Sequence, residues 1–264
     1  MAISWRERRQ LIIFLIILVP IAIGGILFVE RIIPDPSCFD SKRNQDEFNV
    51  DCGGSFCTHC ALKYPKPITV FWARGVAVRE KVYDVAAEIE NPNELLSSAE
   101  LAYEFTLFDD FGPVAKRTGK TFIFAQERAL VAETAISTVR VPTRTEFKIT
   151  GAEWMLRNDP RPLFTVDRRD YAVEETGGRR WSTVKTIIVN STALSFERID
   201  VAVAVLDSEE NLLGVNRVRL EDLFSGDRRE IKILWPTELD GAPAIIRVEP
   251  RANIFEEGTI IKPR

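Results

Sequence analysis

One order of residues occurs twice in this chain, and a fold for it must therefore be buildable in two copies. Val85, Ala87, Ile89 and Asn91 correspond to Val184, Thr186, Ile188 and Asn190, and Leu101, Tyr103, Phe105, Leu107 and Asp109 correspond to Ile199, Val201, Val203, Val205 and Asp207. The turn at 207–211 replaces that at 109–112, Phe122 with Phe124 aligns to Val218 with Leu220, and Val141-Pro142-Thr143 parallels Trp235-Pro236-Thr237. Apolar residues at alternate positions, as in 82–89 and 101–107, signify strands buried on one face. Many short strands separated by turn residues such as Asn91-Pro92-Asn93, with no long amphipathic helix, predict an antiparallel β-sandwich for each copy. The copies span 65–154 and 162–255, in tandem, with a short Pro-stiffened linker at 155–161. Soon after the linker Arg168, Arg169, Arg179 and Arg180 lie among Asp167, Asp170, Glu174 and Glu175, a pattern expected to form a solvated, self-paired loop rather than a partner-binding patch.

A second constraint comes from the N-terminal end. Residues 11–29 are apolar apart from Pro20 and a Gly24-Gly25 pair, and 19 helical residues at about 1.5 Å each reach the thickness of a bilayer's hydrocarbon core. The run lacks the polar stripe of a core helix and is longer than a signal peptide's apolar region, so it is expected to be a retained transmembrane helix with the lipid bilayer as its partner. Arg6, Arg8 and Arg9 precede it, and Arg31 is the only nearby cation after it, which orients residues 1–10 to the cytoplasm and the remainder outside.

All four cysteines, Cys38, Cys52, Cys57 and Cys60, fall in the segment 34–62. An even number clustered just outside an anchor reads as two disulfides of undetermined connectivity holding a loop too small for its own core. A structural zinc site would need a reducing compartment, and a redox Cys-x-x-Cys would need a strand before the pair, where Gly53-Gly54-Ser55 read as turn. His59, the sole histidine, is expected in a solvent-facing loop. Asp40, Asn44, Glu47 and Asp51 carry oxygens able to converge on calcium, which takes 6 to 8 oxygen ligands; the competing reading is a hydrogen-bonded turn network.

The stretch from Cys38 to Cys60 resembles a small extracellular module of the form Cys-x-Asp-Gly-x-x-Asn-x-x-Glu-x-x-x-Asp-Cys-Gly-Gly-x-Cys-x-x-Cys, matching at Asp40, Asn44, Glu47, Asp51, Cys52, Gly53 and Gly54. Ser41 stands where that pattern has Gly, and one extra residue precedes Cys57. Phe105-Thr106-Leu107-Phe108-Asp109 resembles the Phe-x-Leu-Tyr-Asp motif of bacterial extracytoplasmic sandwich domains, which are similar in fold to fibronectin type III and water-stress domains. In the second copy only Asp207 keeps that motif literally. The resemblance implies a mostly β surface protein and says more of fold than of function. Asp109, Asp207, Asn91 and Asn190 are expected to define turns.

Chemistry is poorly provided for. The count of 35 basic against 39 acidic residues gives a net charge of −4 and no electrostatic footprint for nucleic acid. One histidine outside the repeats, no Gly-rich phosphate loop and acid pairs placed in turns predict a chain that is not an enzyme. The expected role is a membrane-anchored extracytoplasmic scaffold or interaction module with an envelope protein as partner. A calcium-responsive surface module and a protective protein similar to the water-stress family are the alternatives. Asn190-Ser191-Thr192 also has the spelling of a glycosylation sequon.

Overall fold

A computed structural model describes residues 5–32 and 38–261, in two compact units, Met1–Lys63 and Tyr64–Arg264. Residues 1–4 of the expected cytoplasmic segment and 34–37 of the expected cysteine module lie outside the described residues.

In the first unit, helix α1 runs over Trp5–Ile32 and continues through Pro20. Its apolar side chains from Leu11 to Ile26, and that of Phe28, are open, and the stretch Arg8–Ile26 is long and apolar enough to cross a membrane. The helix extends beyond 11–29 at both ends because Arg6, Arg8 and Gln10 before the run and Glu30 and Arg31 after it are good helix formers. The cysteine module follows, with a single-turn helix α2 at Cys60–Lys63. Disulfides join Cys38 to Cys57 and Cys52 to Cys60, across sequence separations of 19 and 8.

The second unit is built from antiparallel strands: β1 Thr69–Arg79, β2 Val82–Glu90, β3 Leu96–Asp109, β4 Gly112–Ile123, β5 Arg128–Ser137, β6 Arg144–Leu156, β7 Thr165–Thr176, β8 Arg179–Val189, β9 Ser195–Leu206, β10 Leu212–Leu223, β11 Arg228–Trp235, β12 Ile245–Arg251 and the short β13 Ile260–Ile261. They form four sheets in the orders β1-β2-β5, β4-β3-β6, β7-β8-β11 and β10-β9-β12, with β13 on β9. The last two repeat the first two, six strands later. Arg168, Arg169, Arg179 and Arg180 are therefore in the β7–β8 hairpin, not in a loop: Arg168 and Arg169 pair with Ile187 and Thr186 beyond a bulge after Val166, and Arg179 and Arg180 pair with Thr176 and Glu175. Phe164 and Val166 pack onto the second copy's core.

Within each copy the two sheets share an apolar cluster. Val85, Ile89, Leu101, Phe105, Leu107 and Val131 belong to the first, and Val184, Ile188, Val201, Val203, Ile233 and Trp235 to the second. The duplicated positions on β3 and β9 are thus the cores, each of those five-residue sets being fully or almost fully buried up to its closing Asp. Two alignments made from sequence are displaced. The ladders put Val218 opposite Val201 and Leu220 opposite Ile199, so their counterparts are Gly119 and Thr121, which face Tyr103 and Leu101. Trp235 pairs with Ser182 as Ile136 pairs with Tyr83, so its counterpart is Ile136, whereas Val141 is exposed.

A third cluster joins the copies. Ala86, Leu130 and Ala132 of the β1-β2-β5 sheet pack against Ala204, Leu206, Leu212 and Val215 of the β10-β9-β12 sheet, flanked by Trp72, Val76 and Ala202. Strand β2 is consequently buried on both faces, where alternation suggested one. Small alanines on both sides suit a close approach of these two sheets.

Candidate functional site in the cysteine module and the charged seam

The residues proposed for calcium do meet, but as acceptors of N–H groups. Asp51 Oδ1 accepts from the amides of Asp40 and Ser41 at 3.0 Å each, and its other oxygen lies 3.4 Å from Lys63 Nζ. Glu47 Oε2 accepts from the amides of Asn44 and Asp51, both at 3.2 Å. Asp40 accepts from the Lys42 amide and from Asn44 Nδ2. Asn44 Oδ1 is buried without a hydrogen-bond partner. Among the described residues no group of three or more His, Cys, Asp or Glu is arranged to hold a metal ion. The network holds the turn in which Ser41 adopts φ +59°, the left-handed conformation that a glycine takes easily and that accounts for the resembling pattern's preference.

Cys57 and Cys60 are bonded to different partners, so the Cys-x-x-Cys spelling is not a dithiol pair. His59 is half-buried, and its Nδ1 accepts the Ala61 amide at the start of α2, a local capping role rather than a solvent-facing one.

In the second unit the turn residues act as expected of such side chains. Asn91 Nδ2 donates to Leu96 O at 2.7 Å and Phe124 O at 2.8 Å, tying the β2–β3 and β4–β5 loops; Asn190 does the same to Leu194 O and Leu223 O. Both are fully buried, so the sequon's asparagine has no open amide. Asp109 accepts the Phe111 amide and is paired with Arg140, while Asp207 accepts the Glu209 and Asn211 amides.

The feature that sequence reasoning missed is a seam of acids and arginines between the copies. Every buried acid in it belongs to the first copy, and the arginines that reach those acids from across the seam belong to the second, while Arg74 of β1 crosses the other way to the Glu210 carbonyl. Glu88, 4% exposed, accepts from Trp72 Nε1 at 2.8 Å, Arg128 Nη2 at 2.7 Å and Arg247 Nη1 at 2.7 Å. Glu127 takes a two-pronged contact from Arg251, Nε and Nη2 each at 2.9 Å, and Arg251 also donates to Phe122 O. Glu133 accepts from Tyr103 Oη at 2.8 Å and faces Arg217 at 3.2 Å. Glu249 of β12 adds a reverse link by accepting the Leu130 amide at 2.8 Å. Burial pushes the Glu88 carboxyl up, but the hydrogen bonds from Arg128, Arg247 and Trp72 and the Arg247 charge outweigh it and hold the group below the ordinary carboxylate value. Burial and the neighbouring Glu133 raise the Tyr103 phenol. Burial likewise raises Asp84, against a bond from the Ala135 amide.

An open cleft of about 830 Å³ runs beside this seam. Its charges are paired off, Lys120 with Glu100 and Arg219 with Asp200, so it presents no isolated base, nucleophile or cation among those groups. No protein-family model matches the chain, and a comparison with curated proteins finds no match.

Proposed function

We infer that the chain is a non-enzymatic scaffold of the cell envelope, anchored by α1 and displaying the disulfide-held module and two stacked β-sandwich domains for contact with another envelope protein. In this reading α1 crosses the bilayer once, residues 1–10 are cytoplasmic, and everything from the cysteine module onward is extracytoplasmic. Three features support that orientation: arginines concentrated before the apolar run, the run's length, and cysteines paired as in an oxidising compartment.

The observation that carries the reading is the seam. Buried Glu88, Glu127 and Glu133 are committed to arginines of the other copy, so the strongest polar groups of the body fix one domain on the other. A stiff body loses little conformational freedom when a partner docks, which suits a presenting role. The test is crosslinking and affinity capture of the full chain from native membranes. One stoichiometric protein partner is the expected result; capture of none, with the chain intact and folded, overturns it. Protease added to intact cells checks the topology, and a protected C-terminal part would reverse the orientation.

A further inference from the structure

We propose that the cysteine module rests on the outer leaflet of the same bilayer through Phe39, Phe48 and Phe56. This proposal rests on the anchored reading of α1. Phe39 is 91% exposed, Phe48 69% and Phe56 70%, all within residues 39–56. A segment this small could have used three phenylalanines as a core. Instead the disulfides and the Asp51 and Glu47 networks hold it, and Cys52 is its one buried apolar side chain other than glycine among the described residues. The rings are left open, and exposed rings are apolar surface that water does not favour.

Their placement favours a shared surface. Phe39 and Phe56 flank the Cys38–Cys57 bridge, whose Cα atoms are 5.5 Å apart, so the two rings spring from adjacent points of the backbone. Phe48 lies over Gly53, where an added Cβ would come within 2.6 Å of its ring, which makes the absence of a side chain at 53 a condition for seating that ring. Lys42 and Arg43, three and four residues after Phe39, are exposed, and Lys63 Nζ lies 6.0 Å from the Phe39 ring centre. Aromatic rings bordered by lysine and arginine are the composition that settles at the boundary between headgroups and acyl chains.

Chain geometry selects the occupant. Cys38 follows Ile32, the last residue of α1, by six positions, a reach of at most about 20 Å even when fully extended. A module held that close meets lipid at a high effective concentration, so insertion too weak to bind a free protein is enough here.

The experiment uses the full chain in liposomes containing a photoreactive phosphatidylcholine with its diazirine near the glycerol backbone, read by mass spectrometry of the lipid adducts. Adducts are expected on the Phe39, Phe48 and Phe56 peptides as well as on α1. The variant Phe39→Ser/Phe48→Ser/Phe56→Ser, with both disulfides verified by mass, is expected to lower module adducts about tenfold relative to α1. Adducts on α1 with none on the module above the level on Tyr64–Arg264 overturn the proposal and leave the anchor standing, as would occur if a protein covered the rings. Adducts on the module but none on α1 support the surface contact and retire the anchor. Adducts on neither overturn both.

Discussion

The cysteine module and the sheet body solve the same problem with opposite means. The body buries Phe105, Trp235 and a long roll of aliphatic residues, and then spends charge at Glu88, Glu127 and Glu133 to join its copies. Among the described residues the module buries one apolar side chain, Cys52, and it relies on two covalent bridges and on carboxylates that collect backbone N–H groups. A chain too short to exclude water from a core must restrict its unfolded state instead, and disulfides do that. The two regions should therefore fail to different insults.

Reduction tests the contrast most severely. Each bridge is worth about 2–4 kcal/mol, more than a segment without an apolar core holds in reserve. Adding reductant to the native chain is expected to expose the 38–60 amides to hydrogen exchange within the dead time while β2, β3, β8 and β9 stay protected. Loss of protection in those strands would break the contrast.

Glu88→Ala tests the other side. It removes three hydrogen bonds to a buried carboxylate and leaves Arg247 with Glu249 as its remaining carboxylate partner, which costs about 2–3 kcal/mol. Denaturant melting of the body is expected to fall by that amount with the module's disulfides unchanged. The pH dependence follows from the same group. Its folded value lies below the ordinary glutamate value of 4.5, so the unfolded chain binds the proton more tightly, and stability present above 4.5 drains away as pH falls through the folded value. Glu88→Gln should flatten that limb of the acid titration; an unchanged limb would assign it to other carboxylates.

Gly119→Val distinguishes the copies from each other. A Cβ at 119 would stand 2.4 Å from the Tyr103 ring, and the ring is buried with its hydroxyl on Glu133, so it has no free end to move. Overpacking of this kind costs about 1–3 kcal/mol. The second copy carries Val201 opposite Val218 at the same place, so Tyr103→Val added to Gly119→Val should recover part of the loss. Failure to recover any would mean that the Tyr103–Glu133 bond, not the ring's volume, decides the site.

That pair also shows what a sequence can and cannot reveal. The β3 and β9 cores were legible because an alternating apolar run ending in Asp imposes its own periodicity, and Asn91 and Asn190 because a buried amide at a turn has few other uses. Phe122 and Phe124 were set against Val218 and Leu220 by apolar character alone, which cannot see that Gly119 is small because Tyr103 is large. The β7–β8 hairpin looked like a loop because a charged open face resembles a solvated turn. The packing between the copies left only faint marks: Ala86, Ala202 and Ala204 where exposed strands would carry polar side chains, and acids and arginines that pair across long stretches of sequence, as Glu127 does with Arg251 at a separation of 124. Non-local complementarity has no periodicity to read.

The smallest expected effect concerns calcium. Asp40, Glu47 and Asp51 point their oxygens at amide hydrogens and at Lys63, and Asn44 Oδ1 is the one buried oxygen of the group without a partner. A cation seeking 6 to 8 oxygens would have to displace those N–H donors and meet the lysine's charge. What a calcium ion does for other loops, the hydrogen bonds and disulfides already do for this one, and ordering that is already complete leaves little for a ligand to add. Millimolar calcium or chelator is therefore expected to leave hydrogen exchange across 38–60 unchanged. A calcium-dependent rise in protection would mean the carboxylates can turn outward, and would place the module with ion-stabilised loops rather than with covalently held ones.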